Sequence, residues 1–237
     1  MKRAYPLAIA TLAAALLGYC GWLGYFSNDP FVTVMPSGKP RADVAAVVMS
    51  GDMGFKVGMG RQIAKRLSAD GLPVIGVNSL TYFRTRRTPA DAAALIENAM
   101  RRAEALAHAS RIILIGQSFG ADMLHVGLAG LPPADRAHVA MVALVVPGAT
   151  VEYRASPGEL FTFLMHEDDA LPTGRKLTWA PTLCIFGQEE NASLCPLLWQ
   201  DNVHAIPLPG GHPLHYDADA VYKEVRQEMT RAGLMRA

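Results

Sequence analysis

Six short runs of this chain are almost wholly apolar: Asp43 to Ser50 ("DVAAVVMS"), Leu72 to Ser79, Arg111 to Ser118, His138 to Pro147, Thr182 to Gly187 and Val203 to Pro209. A strand with one wet face alternates polar and apolar residues, whereas a strand covered on both faces reads as a continuous apolar run. Stretches with helical spacing separate several of these runs: Lys56 to Asp70, Thr88 to His108, Gly120 to Leu128 and Asp217 to Arg231. Thr88 is placed to cap the second of these helices, with Pro89 in its first turn. Strands returned in the same direction by helical crossovers form a parallel sheet with helices on both faces. The predicted fold class is therefore α/β, with one core for the 237 residues. Residues 148–180 carry no period and are read as an irregular stretch, a candidate lid or partner surface.

The N-terminus adds a second constraint. Lys2 and Arg3 precede an uncharged run from Ala4 to Phe26. A basic flank before an apolar stretch of this length suits a signal peptide or membrane anchor, and without an A-x-A-like cleavage site the uncleaved anchor is favoured. The organisation read from the sequence is residues 1–28 as leader or anchor, 29–42 as a linker around one edge strand, and 43–237 as the catalytic-type domain. Export to an oxidising compartment fits Cys184 and Cys195, which flank a short polar loop and can close a disulfide. The formal net charge of +1 provides no global field for nucleic acid. The one local basic stretch, Arg84, Arg86 and Arg87, reads equally as a solvated turn or as a contact for an anionic headgroup.

In a parallel sheet, functional residues collect where strands end. Four such ends are informative. Gly116-Gln117-Ser118-Phe119-Gly120 is a G-x-S-x-G pattern between a predicted strand and a predicted helix, the context a nucleophile elbow requires. His212 follows Gly210 and Gly211 near the C-terminus and supplies a base; His215 is its competitor. The H-x-x-H spacing is not read as a metal pair, because no third ligand has suitable spacing and Pro213 opposes a shared helix face. After the strand ending at Gly187 come Glu189 and Glu190, of which Glu190 is preferred as the acid. The order Ser118, Glu190, His212 is that of α/β-hydrolases. The turn Ser50 to Phe55 ("SGDMGF") can aim the N–H of Asp52 or Met53, together with that of Phe119, at a developing oxyanion. Gln117 and Asp122 are candidates for substrate contact, Asp122 either complementing its helix dipole or binding a cationic group. No cofactor or metal is expected.

Taken together, "SGDMGF", "NSLTYFRTRRTP", "GQSFGADM", "IFGQEENASLCP" and "LPGGH" make the chain resemble the VirJ/AcvB family of bacterial virulence proteins, periplasmic relatives of the α/β-hydrolases. The resemblance covers Asp43 to about Asp219. It implies hydrolysis of lysyl-phosphatidylglycerol, an aminoacylated phospholipid, and a link to type IV secretion proteins. In such a substrate Asp122 or Asp52 would meet the lysyl ammonium and Arg84, Arg86 or Arg87 the phosphate. Met53 and Phe55 stand where relatives carry "SGDGGW", and Arg84 where an aromatic is usual. The same residues also fit a general exported esterase or thioesterase, or an interaction module on a hydrolase scaffold.

Overall fold

The computed structural model describes residues 4–41, 43–155 and 167–235, apart from the side chains at 4–7 and 107. Residues 156–166 of the predicted irregular stretch thus lie outside the described residues. Along the chain run α1 (Ala4–Leu23), β1 (Phe31–Val34), β2 (Val44–Met49), α2 (Gly60–Ala69), β3 (Val74–Val77), the short α3 (Ser79–Phe83), α4 (Pro89–Ala107), β4 (Arg111–Gln117), α5 (Phe119–Ala129), α6 (Pro133–Arg136) and β5 (Val139–Val145). Then follow β6 (Thr150–Val151), β7 (Asp168–Asp169), α7 (Leu171–Gly174), β8 (Thr182–Gly187), β9 (Val203–Leu208) and α8 (Ala218–Arg231).

Seven strands form one sheet in the order β1-β3-β2-β4-β5-β8-β9, with β6 and β7 as a separate antiparallel pair. Only β1, at one edge, runs antiparallel to its neighbour. The predicted linker region therefore contributes a paired strand to the sheet.

The strand runs are apolar because both faces are covered. All six residues of β2 are buried, and successive side chains point to opposite faces. Ala45, Val47 and Met49 join a core with Ile96 of α4 and Leu124 of α5. Val44, Ala46 and Val48 join another with Ile63 of α2 and Val221 of α8. Edge strand β9 is only partly covered, and it tolerates Pro207 because an edge strand need not donate every ladder hydrogen bond.

Helix α4 starts as its sequence predicts. Thr88 Oγ1 accepts from the Asp91 N–H and the Asp91 carboxylate accepts from the Thr88 N–H, a reciprocal capping box. Helix α2 starts at Gly60, later than the apolar spacing from Lys56 predicts. Gly54 and Gly58, at φ of 82° and 81°, turn the preceding residues into a loop instead.

Helix α5 buries a histidine. His125 Nδ1 lies 2.9 Å from Thr173 Oγ1, which itself donates to the Ala170 carbonyl, so Nδ1–H is the donor and Nε2 carries the lone pair. Nε2 is buried without a partner among the described residues. Burial pushes this imidazole down to about 3, because a charged ring in the core lacks solvation. The unfolded chain takes up this proton near 6.5 and the folded chain does not. Stability is therefore complete above about pH 6.5 and is lost as pH falls toward 3, by roughly 3 kcal/mol at pH 4. Urea midpoints measured from pH 7 to pH 4 should fall more steeply for the native chain than for His125→Gln; parallel profiles would contradict this.

Candidate active site

Strand β4 passes into α5 through Ser118, whose φ of 52° and ψ of −127° are unusual for a residue with a side chain. The flanking glycines make that turn possible. A Cβ on Gly116 would lie 2.4 Å from the Gly120 carbonyl oxygen, and one on Gly120 would lie 2.3 Å from the Ser50 carbonyl oxygen. Neither position has room for any other residue. Ser118 N–H donates to the Val145 carbonyl at 2.8 Å, fixing the elbow to the neighbouring strand. Its hydroxyl makes no helix-capping bond. Instead Ser118 Oγ sits 2.8 Å from His212 Nε2.

His212 and Glu190 ride on touching loops. Gln188 N–H donates to Leu208 O and Glu189 N–H to Gly210 O, stitching the loop after β8 to the loop after β9. Gly187 permits this contact: a Cβ there would lie 2.5 Å from the carbonyl oxygens of both Gly210 and Gly211. Glu190 Oε1 lies 2.6 Å from His212 Nδ1, and its Oε2 accepts from Gly187 N–H. The Glu190 side chain is 8% exposed, whereas Glu189 is exposed. The acid in contact with the histidine is thus Glu190. A carboxylate at Nδ1 holds that nitrogen protonated and leaves Nε2 as an acceptor for a hydroxyl proton. His215, the competitor, folds against Gly210. Among the described residues no cluster of histidine, cysteine or acidic side chains is placed to hold a metal.

Cys184 of β8 and Cys195 form a disulfide, with Cα atoms 5.4 Å apart. Cys195 opens the 3₁₀ turn just beyond the Glu190 loop, so the bridge closes that loop onto its own strand.

Ser118 and His212 open onto a cleft of about 580 Å³ that is also lined by Asp52, Met53, Gln117, Phe119 and Asp122. Phe119 is the first residue of α5, where backbone N–H groups lack intrahelical acceptors, and the Asp52–Met53 turn approaches from the end of β2. Phe55, in the same turn, is 3% exposed and lies over Gly76, which has no room for a Cβ. Gln117 also has a structural task. Its Oε1 accepts from Gly60 N–H at 3.2 Å, bolting the start of α2 to the elbow.

Asp122 lies one turn into α5 and only partly reaches the cleft. Its Oδ1 accepts from Gly148 N–H at 2.9 Å. Crowding by protein atoms pushes its carboxyl up to about 8, opposed by the Gly148 bond and by His212, and reinforced by Glu190 and Glu152.

Sequence reasoning missed Thr150, Glu152, Arg154 and Glu167, which line the same cleft from the irregular stretch. That stretch has no period or motif; only its place after β5 could have drawn attention to it. Arg84 requires a correction. It is not a cleft-lining residue. Its guanidinium donates to the carbonyls of Tyr25, Ser27 and Thr81 and to Asn28 Oδ1, because α3 turns it toward the N-terminal segment. Arg87 is likewise engaged, donating to Tyr82 O and stacking 4.6 Å from the Tyr82 ring. Arg86 lies over the Tyr153 ring at 5.9 Å. None of the three lines the cleft.

The family described as "Bacterial virulence protein (VirJ)" matches residues 43–233. The chain belongs to the VirJ family. A comparison with curated proteins finds no match. Among solved structures, the VirJ-family chain is similar to Est1E from Butyrivibrio proteoclasticus at 14% identity and a TM-score of 0.65, covering 86% of this chain and 94% of that one. It also resembles XC6422 from Xanthomonas campestris, described as an α/β serine hydrolase without a lid, at 15% identity and TM-score 0.56, covering 85% and 88%. A third likeness is to proline iminopeptidase from Mycobacterium smegmatis, at 13% identity and TM-score 0.56, covering 85% and 95%. These likenesses establish an α/β-hydrolase fold for the VirJ-family domain.

Proposed function

We propose that this protein is a serine hydrolase that cleaves the aminoacyl ester of lysyl-phosphatidylglycerol. The observation that carries the reading is the hydrogen-bonded chain from Ser118 Oγ through His212 to Glu190. Ser118 Oγ attacks the lysyl carbonyl carbon while His212 Nε2 takes its proton, and Glu190 steadies the resulting imidazolium. The oxyanion is met by the N–H of Phe119 and that of Asp52 or Met53. As the intermediate collapses, the ester C–O bond breaks and His212 returns the proton to the leaving glycerol oxygen. Water activated by His212 then cleaves the lysyl-enzyme, releasing lysine and regenerating Ser118.

A cationic acyl group suits the cleft, where Asp52, Glu152 and Glu167 outnumber Arg154. Asp122 adds a testable feature. An ammonium beside it favours the ionised carboxylate, and the lysyl ε-ammonium stays charged to beyond pH 10. Asp122→Asn should lower kcat/KM for the lysyl lipid by roughly 10- to 100-fold and leave a neutral ester nearly unchanged. As pH rises through about 8, the native preference for lysyl lipid over neutral ester should climb and that of the variant stay flat. Equal losses on both substrates contradict the role.

The family membership and the disulfide support an exported, periplasmic protein, since structural disulfides persist in oxidising compartments. Among the described residues no helix is long and apolar enough to cross a membrane. The side chains of residues 4–7 lie outside that description, and tethering by the N-terminal segment stands as part of this proposal. So does association with secretion-system proteins. The direct test follows free lysine released from lysyl-phosphatidylglycerol vesicles by the full chain. Release that depends on Ser118 is expected; hydrolysis of neutral esters alone would point to a general esterase, and no hydrolysis at all to an interaction module.

A further inference from the structure

The N-terminal helix is joined to the active-site wall by a folded collar. Leu23, its last residue, is 2% exposed and belongs to the core that contains Leu80 and Phe83. Asn78 Nδ2 donates to Leu23 O at 2.8 Å, Thr81 Oγ1 donates to Gly24 O at 2.8 Å, and Arg84 clasps Tyr25, Ser27 and Asn28. The collar grips the back of the oxyanion-side loop. A Cβ on Gly54 would lie 3.1 Å from Leu23 O and 2.7 Å from Asn78 Oδ1. Lys56 Nζ lies 5.3 Å from the Trp22 ring centre. The other side of this loop, at Asp52, Met53 and Val57, lines the cleft.

Beyond the collar the helix stands out from the domain, as far as the described residues show. Its side chains from Ala8 to Tyr19 are exposed on every face, with Ile9, Leu12, Leu16 and Leu17 each more than half open. The stretch of α1 whose side chains are described, Ala8 to Leu23, makes a rod about 24 Å long, enough to enter a bilayer's hydrocarbon layer of about 30 Å without crossing it. Where the rod meets the domain, Tyr19 stacks on Trp22 and Tyr25 packs edge-on to Phe26. Aromatic side chains of this kind favour the level of the lipid headgroups, and Lys56 beside Trp22 suits anionic ones.

We propose that residues 1–28 are retained in the mature protein, that the helix is lodged in a lipid bilayer, and that the collar holds the cleft mouth against the membrane surface. It rests on the membrane-facing reading above and not on the lysyl substrate. A leader cut after Leu23 would strip a side chain out of the core, and a flexible tether would let the domain turn its cleft away. The fixed collar instead keeps the oxyanion-side loop beside the headgroups, where an ester in the membrane plane can enter.

The test uses the full chain carrying Cys20→Ser, with single cysteines introduced as Gln62→Cys or Ala137→Cys and labelled with a small fluorophore. Gln62 is exposed in the first turn of α2, three residues beyond the cleft-lining Met59; Ala137 is exposed just before β5, at the opposite ends of the strands. In phosphatidylglycerol-containing vesicles with brominated lipid, quenching at position 62 should exceed that at 137 several-fold. Ser118→Ala should leave that ratio unchanged, which separates this result from the chemistry. Arg84→Ala should narrow it, and the mass of chain recovered from membranes should include residues 1–28. Equal quenching, stronger quenching at 137, or none at either position with helices paired in a dimer would overturn the proposal. So would a ratio indifferent to Arg84→Ala, or a mature chain that begins within or after the helix.

Discussion

Ser118→Ala should reduce kcat for the lysyl lipid by about 10⁴- to 10⁶-fold, leaving only what substrate binding and the oxyanion donors supply. The fold should survive the change. The Ser118 hydroxyl caps no helix, and alanine at the same left-handed φ adds no new clash, so the thermal midpoint should move little. Lysine release at saturating substrate, measured beside a melting curve, checks both halves. A variant that melts normally and still turns over at more than a percent of the native rate would remove the serine from the mechanism.

The second large effect concerns the acid. Glu190→Gln should cost roughly 10³- to 10⁴-fold in kcat, because an amide can donate to His212 Nδ1 and so favour the wrong tautomer of the ring. Glu189→Gln should change kcat less than about two-fold, as expected for an exposed charge with no place in the relay. The pair is informative because the two residues are adjacent and chemically identical. Steady-state kinetics on both variants decides it, and a larger loss at Glu189 would mean that the loop rearranges around substrate.

The same pair shows where sequence reading stops. The spacing from Gly187 favours Glu190, but the contact is set by how the loops after β8 and β9 pack, with Glu189 N–H held by Gly210 O. The strands were legible because burial on both faces leaves one chemical signature, and β8 appears at Thr182–Gly187 as predicted. The elbow was legible because sterics allow only glycine at 116 and 120. Helix α3 was not: Ser79 to Phe83 follows the apolar run of β3 without a break, and only Asn78, whose side chain accepts from Thr81 N–H, marks its start. Arg84 was misjudged for a related reason. Charge says what a guanidinium prefers, while two of the three carbonyls that meet it belong to residues 25 and 27, far away in sequence. The acidic wall at Glu152 and Glu167 follows no period, and its position depends on tertiary packing alone.

The central claim is that three side chains distant in sequence form one working relay, and covalent trapping measures it most directly. A fluorophosphonate incubated with the native chain should add one adduct per molecule, mapped by peptide mass to Ser118, and His212→Ala should slow the addition by orders of magnitude. No adduct, an adduct on another residue, or a rate indifferent to His212 would contradict the account.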